Sequence, residues 1–171
     1  EAEAAEREAL AIFERRCGPD DAETLQMRNN LAVLLLARGR FDEAEALMRE
    51  VLEARVRLEG EDGLEALWAR FNLAATLLRA GRPAAAAELG AGVADGFRRI
   101  YGQDHFMTVR SLRLEARLAD LLGRHDLARP LREEAVATAR RALAPSERLA
   151  CLVEYSEHLR LAGDISAAEA A

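Results

Sequence analysis

Lysine is absent, and all 24 basic residues are arginine. Coding bias in a GC-rich genome is the plain reading, with selection for function as the alternative. The consequence is still physical, because arginine forks pair bidentately with carboxylates. Cysteine is nearly absent too. Cys17 and Cys151 lie far apart with no partner spacing, so no disulfide framework is implied, and a reducing, cytoplasmic setting is expected. No apolar run approaches the roughly 18 residues a membrane span needs. The opening Glu1-Ala2-Glu3-Ala4-Ala5-Glu6 is acidic and has no signal-peptide pattern. Thirty acidic residues against 24 arginines give a formal net charge of −6. That balance argues against a general binder of nucleic acid or anionic membrane. There is no Gly-rich phosphate loop, no Ser/His/Asp signature and no CxxC.

Apolar residues make up 50% of the chain, and they are mostly Ala and Leu, the best helix formers. The stretch Thr24 to Leu58 reads as helix, tight turn, helix. Its first apolar run, Leu31 to Leu36, stops at Ala37-Arg38-Gly39-Arg40. Gly39 suits a left-handed residue after a helix C-terminus. Asp42 is the expected N-cap of the next helix, with Glu45 completing a capping box. Ala44, Leu47, Val51 and Val56 then fall near one stripe.

One such hairpin cannot bury its own apolar face, and the rest of the chain supplies copies. Gly39, Gly81 and Gly123 recur 42 residues apart, and so do Gly18, Gly60 and Gly102. Leu25, Leu67 and Val109 keep the same step. Gly163 and Leu149 follow after a step of 40, so the last copy has lost two residues. Ala44, Ala86, Ala128 and Ala168 mark the first turn of each second helix. Periods of roughly 20 to 50 residues indicate stacked repeats.

First helices are expected at about 22–37, 64–80, 106–122 and 146–162, and second helices at about 42–58, 84–100 and 126–142. Pro19, Pro83, Pro130 and Pro145 then fall in loops or first turns, as interior prolines break the helix ladder. The second helix of the second copy carries Gly90, Gly92 and Gly96. Each costs up to about 1 kcal/mol against Ala, so this is expected to be the softest helix, whether the glycines serve close packing or a hinge.

The pattern Gly18-Pro19-Asp20, Thr24-Leu25, Asn29-Asn30-Leu31-Ala32 and Gly39-Arg40-Phe41-Asp42-Glu43-Ala44-Glu45 resembles the tetratricopeptide repeat. More narrowly, it resembles the 42-residue variant of kinesin light chains and bacterial multi-repeat proteins. The resemblance implies an all-α, right-handed α-solenoid of stacked antiparallel helix pairs, about four repeats, in a single array over residues 1–171. Glu1, Ala2 and Glu3 align with Glu43, Ala44 and Glu45, and 165–171 begin a second helix and stop. The array is therefore expected to start and end mid-repeat, as a piece of a longer protein.

The resemblance also implies a protein- or peptide-binding scaffold using the concave face formed by the first helices. In repeats of this class the Asn at positions 30 and 72 commonly bonds a peptide backbone. The third repeat has Leu114 there and the fourth Glu154. Carrying the inner face onto this sequence gives Gln26, Asn29, Val33 and Leu36, then Trp68, Phe71, Ala75 and Leu78, then Arg110, Arg113, Arg117 and Asp120. Spacing alone puts Arg110, Arg113 and Arg117 on one helix face, and likewise Trp68 and Phe71.

The peptide-binding set expected on these grounds is Asn29, Asn30, Trp68, Phe71, Asn72, Arg110, Arg113 and Arg117. The partner is a protein or peptide with acidic and bulky apolar side chains, neither nucleic acid nor membrane. Plainer readings stand beside these. The Arg row suits a solvated face or an internal ion-pair set. Trp68 and Phe71 suit a core, although Leu73, Ala74 and Leu77 already supply a buried stripe. Asn29 and Asn30 suit capping or bridging.

No catalytic residue, metal ligand or cofactor is expected. Cys151, Glu154 and His158 share a helix face by spacing but lack a further ligand or base. His105 reads as the structural His of a Gly-x-Asp-His loop. The alternative to peptide binding is a structural or regulatory spacer, packing on an effector domain of its parent or self-associating through exposed repeat ends.

Overall fold

The computed structural model describes residues 2–142 and 144–161. Expectations resting on Glu1, on Gly163 and on 165–171 lie outside the described residues. Two compact units divide the chain, Glu1–Leu89 and Gly90–Ala171. Among the described residues every regular element is a helix.

The first unit holds α1 (Ala2–Cys17), α2 (Ala22–Ala37), α3 (Phe41–Glu59), α4 (Leu64–Arg79) and all but the last residue of α5 (Pro83–Gly90). The second holds α6 (Val93–Tyr101), α7 (Phe106–Leu121), α8 (His125–Ala142) and α9 (Pro145–Leu161). Helices adjacent in sequence pack on one another, α1 on α2, α2 on α3 and α3 on α4 in the first unit, α6 on α7, α7 on α8 and α8 on α9 in the second. The first helices expected from the 42-residue step are therefore α2, α4, α7 and α9.

The turn between paired helices is set by glycine. Gly39, Gly81 and Gly123 have φ of 74°, 75° and 72°, a left-handed conformation that a Cβ would disfavour. In the first copy the Arg40 N–H donates to the Leu35 carbonyl at 3.0 Å and the Gly39 N–H to Leu36 at 3.1 Å. Arg82 with Leu77 and Arg124 with Ala119 repeat the pattern. This is a Schellman motif, which satisfies carbonyls a helix end leaves open.

The same turn moves the expected N-cap. The Arg40 carbonyl accepts the Ala44 N–H at 3.2 Å, so α3 starts at Phe41, with Arg40 as its cap residue and no side-chain cap. Asp42 lies inside the first turn, and its carboxylate pairs with Arg82 instead. Glu45 likewise pairs with Arg49 at 2.8 Å and with Arg82. The capping box does not form.

Three of the four register residues, Leu25, Leu67 and Val109, are buried, whereas Leu149 is 61% exposed. Leu25 is buried with Val51, Ala54 and Ala69. Val109 is buried with Leu112, Ala135, Val136, Ala139 and Cys151. The buried stripe of α3 is Ala44, Met48, Val51 and Ala54, so Leu47 and Val56 sit at its edges, half-buried. Burial of this kind, at about 25 cal/mol per Å² of apolar surface, supplies the main driving force for stacking.

Two expectations about helix continuity are corrected. The helix expected over 84–100 is two helices, broken at Ala91-Gly92, where Gly92 has φ 75°. Pro130 lies inside α8, beyond the first turn. The helix starts at His125 because the Leu127 and Ala128 amides both donate to the Arg124 carbonyl at 3.1 Å, which pushes Pro130 into the second turn.

Candidate functional site

Two clefts carry the residues singled out by the repeat register, one in each unit. The first, of about 320 Å³, opens on α2, α3 and α4. Gln26 and Asn29 come from α2, Val51 and Arg55 from α3, and Glu65, Trp68 and Asn72 from α4. Helical spacing of three to four residues puts Gln26 with Asn29, and Trp68 with Asn72, on the exposed edges of their helices. Leu25 and Ala69 form the apolar floor, both buried. The Asn72 amide donates to Asn29 Oδ1 at 3.3 Å. Trp68 is half-buried. Arg55 and Glu65 approach to 3.6 Å at the rim.

The second cleft, of about 330 Å³, is lined by Arg110, Arg113, Leu114 and Arg117 from α7 and by Glu154 from α9. Arg113 meets Glu154 as a fork, Nε to Oε2 at 2.9 Å and the terminal nitrogen to Oε1 at 2.5 Å. That pairing raises the Arg113 pKa above its ordinary value, chiefly through the hydrogen bond to Glu154. Arg110 and Arg117 flank it and are exposed.

The eight expected site residues are distributed unevenly. Asn29, Trp68 and Asn72 share the first cleft, and Arg110, Arg113 and Arg117 share the second. Phe71 is only 6% exposed, which corrects its expected exposure beside Trp68. A residue three positions on along α4 is turned about 60° away from Trp68, enough to carry it from the edge of the face to the buried side. Leu36, also expected on the inner face, is buried. Asn30 is exposed and accepts the Gln26 amide at 2.9 Å, outside the cleft lining.

Three contributors were not anticipated. Arg55 comes from a second helix, Glu65 from the first turn of α4, and Glu154 stands at the Asn30 and Asn72 position without being among the expected binding residues. Glu154 is committed to Arg113 and Cys151 is buried, while the His158 side chain lies outside the described residues. Alignment of Glu154 with Asn30 and Asn72 was the available signal. Among the described residues no group of three His, Cys, Asp or Glu side chains is placed to hold a metal ion. No helix there is long and apolar enough to cross a membrane.

Comparison with known proteins decides the family. The tetratricopeptide repeat profile matches residues 1–55 and 23–91, more than half of the chain. The chain belongs to the tetratricopeptide repeat family. Solved structures agree on the fold. A Podospora anserina protein of nearly identical TPR-like repeats, assigned as a kinesin light chain, aligns as a point-substituted form with a TM-score of 0.86 at 22% identity, over 98% of this chain and 80% of its own. The form without that substitution gives 0.83 at 22% identity, over 98% and 81%. BtubC (BKLC) from P. vanneervenii gives 0.85 at 21% identity, over 99% and 68%. No curated protein matches the chain. The α-solenoid of helix pairs is thus the fold of this tetratricopeptide chain, and that fold generally serves as a protein-interaction scaffold.

Proposed function

We propose that this tetratricopeptide chain is a peptide-binding scaffold that reads its partner with the faces of its first helices. The single observation that carries this is the first cleft, where Asn29, Trp68 and Asn72 meet over an apolar floor. The two amides offer donors and acceptors for an extended backbone. The half-buried indole offers apolar area with a polar handle, the combination that dominates binding hot spots. Arg110 and Arg117, beside the paired Arg113, suit carboxylates on a partner. An acidic partner also suits a row of forked donors better than a row of point charges.

Selection of peptides from a random library on the full chain, followed by affinities for Trp68→Ala, tests the reading. Loss of a central aromatic anchor costs about 2 kcal/mol or more, so the selected peptides weaken at least about tenfold. Peptides that bind Trp68→Ala as tightly as the parent chain would remove the first cleft from the mechanism.

A further inference from the structure

The two clefts are built on the same rung of the repeat. Asn29 and Arg113 are 84 residues apart, two full steps, and occupy one register position. Asn72 and Glu154 occupy the other, once the two-residue loss in the last copy is counted. In the first unit this rung is the amide contact between Asn72 on α4 and Asn29 on α2. In the second it is the carboxylate fork between Glu154 on α9 and Arg113 on α7. The position that elsewhere carries a neutral amide here carries a charge that fills the arginine's two directed donors.

Glu154 is 38% exposed and Arg113 25%, so the pair sits at the cleft wall, within reach of solvent and of a ligand. The cleft lining sets Arg110, Arg113 and Arg117 against the single carboxylate of Glu154. Arg117 has no ion-pair partner among the described residues. A second carboxylate arriving in this cleft meets an attractive field, but it finds the best bidentate donor already engaged by Glu154.

We infer that Glu154 is an intramolecular stand-in for a ligand carboxylate, and that it gates the arginine cleft by having to be displaced when an acidic peptide segment binds. The inference rests on the proposed reading of Arg110, Arg113 and Arg117 as the surface that meets the partner's acidic side chains. One isolated carboxylate exchanges like for like with Glu154 and gains little. A segment with two or more neighbouring carboxylates also engages Arg117, and gains from it. The gate thus selects clustered acidic residues over single ones.

The test uses the full chain and a fluorescein-labelled peptide with four consecutive glutamates, at low ionic strength. Glu154→Gln keeps the shape and removes the competing charge. Losing one partially exposed competitor is expected to tighten binding about three- to tenfold. Arg117→Gln is expected to weaken it. Titration of the parent chain is expected to shift the Glu154 carboxyl carbon resonance toward that of a solvated glutamate as Arg113 changes partner, which reads the gate without any variant. Unchanged or weaker binding by Glu154→Gln, with Arg117→Gln still weakening, shows that Glu154 positions Arg113 rather than competing for it, and overturns the gate alone. Absence of binding by all three proteins overturns the arginine-cleft reading and the gate with it.

Discussion

Glu59 caps a helix to which it does not belong. Its Oε1 accepts the Ala66 N–H of α4 at 2.7 Å, across the turn from the end of α3. The reason lies at the cap position, which is Gly63 and has no side chain. The equivalent residues do their own capping. Asp21 accepts from the Glu23 amide at 2.9 Å, and His105 Nδ1 from the Met107 amide at 3.3 Å. A Cβ on Gly63 would fall 2.3 Å from Glu59 Cγ, so the two solutions exclude each other. Glu59→Ala is expected to cost about 1 kcal/mol, a fall of about 2–4 °C in melting temperature for a chain of this size. Adding Gly63→Asp should recover most of it, because Gly63 already has φ −62° and ψ 149°. Thermal melts of the single and double variants check this. A double variant no more stable than Glu59→Ala would show that Glu59 acts by something other than capping.

The break at Ala91-Gly92 yields a second expectation. Gly92 has φ 75° with nothing within 4 Å of a built Cβ, so a side chain there meets backbone strain and no clash. Gly92→Ala is expected to destabilise by about 1–2 kcal/mol, and Gly92→Asn by clearly less, since Asn visits the left-handed region more readily. Paired denaturation curves read the difference. Equal losses would locate the cost in packing instead. Hydrogen exchange should show α5, which buries Ala86 and Gly90, opening more readily than α7 or α8.

The repeat itself was legible because glycine leaves a backbone signature. A residue with φ above zero must recur wherever the turn recurs, so Gly39, Gly81 and Gly123 report the period and the helix ends together. The buried residues Leu25, Leu67 and Val109 were legible because an apolar residue recurs at the same step, a rule that fails at the exposed Leu149. What one helix does to a side chain on another was not. Nothing local distinguishes Trp68, half-buried at a cleft edge, from Phe71, buried three residues later. Asp42 looks like a cap in isolation, and only the carbonyl of Arg40 shows that the helix starts ahead of it. Glu154 became meaningful through Arg113, 41 residues away.

Acid should act first on the N-terminal network. Glu3 receives Arg40, Arg7 and Arg38, and Arg40 also holds Glu43 at 2.5–2.6 Å. The Arg40 hydrogen bond is the main cause that lowers the Glu3 pKa to about 2. Glu43 is lowered in the same direction, again chiefly by Arg40. A carboxyl depressed on folding binds its proton more readily in the unfolded chain. Its stabilising contribution is therefore present above pH 4.5 and is lost as pH falls toward 2. Docking of α1 on α2 is expected to weaken across that window, and Glu3→Gln should flatten the dependence there. Helical circular dichroism against pH for both proteins gives the comparison. A parent titration that is level between pH 4.5 and 2, or a Glu3→Gln profile with the full slope, would rule the network out as the acid-sensitive element.

Asp120 and Arg132 form an ion pair where another repeat has two apolar residues. Arg132, only 9% exposed on α8, meets Asp120 Oδ2 on α7 at 2.5 Å, and His125 approaches the other carboxylate oxygen at 3.1 Å. Two steps earlier in the register stand Met48 and Leu36, both buried. The Arg132 Nε has no hydrogen-bond partner among the described residues, so desolvation of the guanidinium is only partly offset. Arg132→Met alone takes the guanidinium from Asp120, which keeps the approach of His125, and is expected to cost about 1–3 kcal/mol. Combining it with Asp120→Leu installs the pair that the first repeat already packs. Replacing a buried ion pair by apolar side chains of similar volume is commonly neutral or stabilising, so the double variant should match or exceed the parent in denaturant midpoint. A positive coupling of that size in the double-mutant cycle would show that the repeat tolerates either chemistry at this rung. Additive losses would show that the third repeat has shifted its helices to suit the charges, and that the apolar pair no longer fits.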